Sequence, residues 1–233
     1  MHPTNRTARI AGMLYLLVVV TGAFTLIYVP RTLIVPGNAT ATANNILAHE
    51  TFFRLGIVAD LISTVIFIFL VLALYRLLSG VNKTHASLMV VLVLVSATIG
   101  LMNVLNSIAA LALFRGADFL AVFDKPQRDA LGMLFLGLHP LGLAVNEIFW
   151  GLWLFPFGVL VMRSRFLPWI LGVLLIINCF AYLAASLTSL LLPGYATVVS
   201  RFAIIPEAAG ELAIMLWLVI KGAKPQPLAA PAP

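Results

Sequence analysis

A chain of 233 residues that is 62% hydrophobic and 9% charged, with mean hydropathy +1.09, lies far outside water-soluble domains, which carry about 25% charged residues. The formal net charge of +6 and pI near 9.9 would suggest nucleic acid for a soluble protein. There is no basic run and no array of aromatics on which bases could stack, so no nucleic-acid partner is expected. The medium for most of this chain is the lipid bilayer.

A short basic start from His2 to Arg9 leads into an apolar run over 10–29, which Pro30 is expected to end. The run passes the small residues Thr21-Gly22-Ala23 and reaches full membrane length, so it reads as an uncleaved span, with a signal peptide as the alternative. The loop from Arg31 to Phe53 is polar with scattered aliphatics and predicts a short surface helix capped by Thr40 or Thr42. His49-Glu50 is no zincin signature, because position 53 is Phe where the motif needs His. A second span over 55–75 carries Asp60, and a third over 86–114 carries Asn103, Asn106 and Ser107 on one helical face. Asp124-Lys-Pro-Gln127 has the form of a capped helix start. It opens an apolar stretch from Ala130 to Met162, longer than the ~20 residues a crossing needs. That length predicts a break at His139-Pro140, with the fourth span at 138–162. A fifth span at 168–192 carries Asn178 and the lone cysteine, Cys179, which reads as a small buried hydrophobe. Pro193-Gly194-Tyr195 predicts a turn before a sixth span at 202–220 with Pro206, Glu207 and Glu211. The Pro/Ala-rich tail, 222–233, is expected to be disordered.

The expected fold is therefore all-α: a six-transmembrane-helix bundle forming one domain over 1–221. The termini and the two loops on their side hold Arg6, Arg9, Arg76, Lys83, Arg163, Arg165, Lys221 and Lys224 and no acid. The other side holds Arg31, Arg54, Arg115, Lys125, Arg128 and Arg201 beside Glu50, Asp118, Asp124 and Asp129. Lys and Arg in short loops mark the cytoplasmic side, so both termini are expected there.

Counting from the cytoplasmic ends at about 1.5 Å per residue places Glu211 and Asn178 near the midplane. The same count places Asp60, Asn103, Glu147 and Glu207 in the outer half. This predicts a polar cavity open to the outside, with Asn106, His139 and Asn146 as further candidate ligand- or proton-binding residues. Acids inside a membrane segment are costly and mark functional sites by default. Glu207 and Glu211 share one helical face beside Gly210, and two carboxylates so close in low dielectric are not expected both to ionise. Structural alternatives stand beside each reading. Glu207 after Pro206 suits a helix first turn, Asp60 has Arg54 or Arg201 as candidate partners, and the asparagines suit interhelical bonding.

Several blocks have a shared look: Ala11-Gly-Met-Leu-Tyr-Leu-Leu17, Ala43-Asn-Asn-Ile-Leu-Ala-His-Glu50, Phe53-Arg-Leu-Gly-Ile-Val-Ala-Asp60, Leu74-Tyr-Arg-Leu-Leu78, Phe149-Trp-Gly-Leu-Trp-Leu-Phe-Pro-Phe-Gly158 and Leu171-Gly-Val-Leu-Leu175. With them the chain resembles the bacterial membrane-protein family catalogued as domain of unknown function 4386. The resemblance implies a multi-pass protein of the bacterial inner membrane and carries over no activity and no site residue.

Three functions remain in view. The first is binding or transport of a small solute or proton; six spans are few for a transporter, so a homodimer is a candidate assembly. The second is a structural or regulatory membrane partner without chemistry. The third is an intramembrane metal-dependent enzyme, for which no His-x-x-x-His, Gly-x-Ser-x-Gly or Cys-x-x-Cys is present. No cofactor is implied.

Overall fold

In lipid an apolar run must satisfy its own backbone hydrogen bonds, and the helix does so within one segment. The computed structural model describes residues 3–224, and these contain helices and turns without a strand. In chain order they are α1 (Pro3–Ala23), a π turn (Phe24–Tyr28), α2 (Val29–Leu33), α3 (Ala39–Ala48), α4 (Glu50–Leu78), α5 (Lys83–Arg115), a 3-10 turn (Asp118–Leu120), α6 (Lys125–Arg163), α7 (Trp169–Leu191) and α8 (Pro193–Ile220). Among the described residues six segments are long and apolar enough to cross a membrane: Thr4–Leu33, α4, α5, α6, α7 and α8. Large apolar side chains such as Val20, Phe69, Met102, Phe180 and Phe202 stand exposed on them, a surface suited to lipid and costly in water. The protein is an all-α polytopic membrane protein.

The chain divides into two compact units. Unit one comprises 3–16, 67–95 and 147–224, and unit two comprises 17–66 and 96–146, within the described residues. Unit one is held by close helix crossings. A Cβ on Gly158 of α6 would lie 2.7 Å from the Gly172 carbonyl oxygen of α7, so only glycine lets these backbones meet. Trp153 is buried here, stacked on Phe157 with centroids 5.3 Å apart and met edge-on by Phe67 at the same distance. Unit two packs Val29, Leu33, Phe53, Ala110, Leu111, Phe114 and Leu136 around Ala43 and Ile46 of α3. The expected capping box forms at the start of α6: the Gln127 amide donates to Asp124 Oδ1 at 2.8 Å, and Asp124 N donates to Gln127 Oε1 at 3.0 Å.

Five local expectations are corrected. Pro30 does not end the first span: the helix relaxes into the π turn, with Val29 N bonded to Phe24 O, and continues to Leu33. A proline ring crowds the carbonyl four residues back, and a π turn relieves that crowding. α3 is capped by Asn38, whose side chain accepts from Ala41 N at 2.9 Å, while Thr42 is buried and tied to Val35. His139-Pro140 does not break α6, which runs unbroken from Lys125 to Arg163. One proline removes one backbone bond, and neighbouring helices restore what a lone helix would lose. Pro193 opens α8 in place of a turn, with its missing N–H in the first turn, where helical N–H groups have no partner anyway. Lastly, the start of the tail is ordered. Gly222 adopts a left-handed φ of +67°, Ala223 is buried, Ala223 N donates to Asn5 Oδ1 at 3.2 Å and Lys224 N to Phe166 O at 3.1 Å. The rest of the expected tail, 225–233, lies outside the described residues.

Candidate functional site

The candidate residues fall into two groups, one in each unit. In unit one, Glu207 and Glu211 stand one turn apart on α8, four residues being close to a helical repeat. Glu211 is held at both oxygens: Tyr15 of α1 donates its hydroxyl to Oε1 at 2.7 Å, and Tyr182 of α7 donates to Oε2 at 2.8 Å. The phenols are seated by tryptophans, Trp153 beside Tyr15 at 6.3 Å and Trp150 edge-on to Tyr182 at 6.1 Å. A buried tyrosine needs a partner for its hydroxyl, and a carboxylate with two such donors makes strong, oriented hydrogen bonds. Glu207 is less well served. The Asn178 side-chain amide donates to its backbone carbonyl at 2.9 Å, but Glu207 Oε1 and Asn178 Oδ1 are buried without a partner among the described residues. Gly210 admits Asn178 to α8, since a Cβ there would meet the Asn178 Cβ at 3.1 Å. Glu147 is half-buried on α6, near enough to act electrostatically on Glu207 and Tyr182.

In unit two a cavity of about 220 Å³ opens among the π turn and α2, the first turns of α4, the latter part of α5 and the middle of α6. Its walls are largely aliphatic, with Val29, Leu33, Phe53 and Leu136 of the packed core among them. Asp60, His139, Ser107 and Thr25 supply its polar groups. Asp60 Oδ2 lies 3.7 Å from His139 Nε2, and both side chains are partly accessible. Asp60 does not take Arg54 as its partner, because Arg54 Nε pairs with Glu50 Oε1 at 2.7 Å, four residues away on its own helix. Asn103 holds the backbone at His139: its amide donates to the His139 carbonyl at 2.9 Å, and its Oδ1 accepts from Asn106 at 2.9 Å. Gly142, one turn on, leaves room for that amide, since a Cβ there would collide with Asn103 Oδ1. Asn146 is buried beside Gly100, with its Oδ1 unpartnered among the described residues.

Asp60, Asn103, Asn106 and His139 are thus brought together in one group, and Asn178, Glu207, Glu211 and Glu147 in the other. The sequence reading missed Tyr15 and Tyr182. The signal available was a tyrosine inside each of two apolar runs, a residue that brings a hydroxyl needing a partner. Among the described residues, no group of three or more His, Cys, Asp or Glu is placed to hold a metal ion.

Comparison with known proteins adds a family and a relative. The family model described as Domain of unknown function (DUF4386) matches residues 10–222. A protein of Archaeoglobus fulgidus, described as uncharacterized, is 31% identical over 152 residues, covering 65% of this chain and 74% of its own. No solved structure matches.

Proposed function

The chain belongs to the DUF4386 family, whose description names no activity, and from that premise we propose on geometry alone that it is a membrane-embedded binding protein or transporter for a small solute. The observation that carries this reading is the cavity of about 220 Å³ beside the Asp60–His139 pair. An apolar pocket with a few convergent polar groups is the usual form of a small-molecule site, and this one lies below the ~300 Å³ at which drug-sized pockets begin. A carboxylate and an imidazole at the edge of aliphatic walls suit a short amphiphile bearing an amine. The excess of Lys and Arg in the loops beside the termini supports cytoplasmic termini and, with them, a cavity in the outer half of the membrane.

A second reading suits the other group. The two phenols on Glu211 favour a brace between α1, α7 and α8, so this acid is assigned to holding the fold. The two roles are compatible within one six-span protein.

The test uses the full chain in mild detergent, titrated with butylammonium and with butanol as the neutral twin. Butylammonium is expected to raise the melting temperature of the wild type through binding to the folded state, and butanol to leave it unchanged. Asp60→Asn is expected to abolish the ammonium effect. Equal shifts for both probes, or an unchanged shift in Asp60→Asn, would overturn the assignment of the cavity.

A further inference from the structure

A second cavity, in unit one, has no acid among the residues that line it. It measures about 470 Å³ and is lined by Thr4 and Thr7 of α1, Arg76 of α4, and Arg163, Ser164 and Arg165 at the end of α6 and beyond. We propose that this basic cavity is a binding site for a phosphate ester, borne by an anionic lipid headgroup or by a soluble phosphorylated solute.

Four observations support it. The first is charge without compensation. Arg76, Arg163 and Arg165 make no salt bridge among the described residues, and neither the chain start through Arg9 nor the segments 76–85, 163–168 and 221–224 contain an acid. The second is that the backbone carrying Arg165 is held in place on both sides. Ser164 is buried, its hydroxyl donating to Val161 O at 2.8 Å and accepting from Leu167 N at 3.2 Å, and Phe166 is buried and bonded through its carbonyl to Lys224 N at 3.1 Å. Between these two fixed residues Arg165 holds a left-handed φ of +56°, a conformation a β-carbon disfavours. The third is the start of α1, where N–H groups lack intrahelical partners and where no acidic side chain sits in the first turn. The fourth is volume: about 470 Å³ falls within the ordinary range of ligand pockets.

Helix-end electrostatics explains part of this pattern, since Arg76 and Arg163 lie in the last turns of α4 and α6, where a cation is favoured. It does not explain Arg165, which is outside any helix, or the hollow that the three arginines share. Three arginines and the hydroxyl-bearing Thr4 and Thr7 lining one hollow suit the planar, multidentate recognition of phosphate oxygens. Basic pockets of this kind on the cytoplasmic side of membrane helices suit lipid headgroups.

The experiment titrates the full-length protein in neutral detergent and follows its melting temperature. The probes are short-chain phosphatidylglycerol, short-chain phosphatidylcholine, glycerol 3-phosphate and inorganic phosphate. Stabilisation by phosphatidylglycerol alone supports the site and assigns it to a lipid; stabilisation by glycerol 3-phosphate at equal or lower concentration supports it and assigns it to a soluble ester. Arg163→Gln and Arg165→Gly are each expected to weaken the effective probe about fivefold. Glycine suits a left-handed residue, so the Arg165→Gly chain keeps its fold and its loss of binding reports the site. Lys83→Gln, which removes one charge outside the cavity, is expected to bind as the wild type does. No stabilisation by any phosphate probe, or equal weakening by Lys83→Gln, would overturn the proposal.

Discussion

The two polar groups in this protein put a carboxylate in opposite surroundings. In unit one, Glu211 sits with a phenol on each oxygen and aromatic rings seating both phenols. In unit two, Asp60 has an imidazole at 3.7 Å and a cavity of about 220 Å³ beside it. The lesson is that burial of an acid among apolar helices does not by itself distinguish brace from binding site. What distinguishes them is the number of donors already committed to the carboxylate and the space left next to it.

The contrast breaks most sharply at Glu211. Glu211→Leu leaves the hydroxyls of buried Tyr15 and half-buried Tyr182 unpaired and is expected to destabilise the protein by about 1–3 kcal/mol for the first and less for the second, read by unfolding in mild detergent. Adding Tyr15→Phe and Tyr182→Phe should restore most of that loss, because apolar replacement of every partner leaves nothing unsatisfied. A Glu211→Leu protein as stable as the wild type would dissolve the distinction between the two groups. Next in size comes Gly142→Ala, whose methyl collides with Asn103 Oδ1. It is expected to cost about 1–3 kcal/mol and to weaken the response to butylammonium by shifting His139. Asn38→Ala removes the cap of α3, the helix packed into the core that walls the cavity, and should lower stability by about 1 kcal/mol in the same assay. Smallest of all, Asp60→Asn should change stability by less than about 1 kcal/mol, a partly exposed pair at 3.7 Å being weak, while removing the amine response. Stability and ligand response thus separate at Asp60 and move together at Gly142.

The six spans were legible because the apolar runs are long and need no partner to declare them. The capping box at Asp124 and Gln127 was legible because its residues lie three apart and the chemistry is local. Prolines were misread in three places. Pro30, Pro140 and Pro193 by themselves suggest an end, a break and a turn, although a helix supported by neighbours loses only one bond at a proline and can use it in a first turn. The acids were legible as costly residues, but their partners were not. Tyr15 meets Glu211 across 196 positions of sequence and Asn103 meets His139 across 36, choices made by helix packing and by no local pattern. Arg54 was a candidate for Asp60 on proximity in sequence, and it went to Glu50, which lies nearer still on the same helical face.

The π turn at Phe24–Tyr28 gives the first span two phases. Widening one turn by a residue rotates everything after it by about 100° relative to an unbroken α-helix. Thr21 and Leu33, both of unit two, therefore answer to different registers: the first donates its hydroxyl to Ser63 Oγ at 2.8 Å, and the second walls the cavity. Deleting one residue from the turn would restore a single phase. The Thr21 hydroxyl would keep its aim at Ser63 while Val29, Pro30 and Leu33 swung off theirs, so one short stretch sets the angle at which the end of this span meets the cavity.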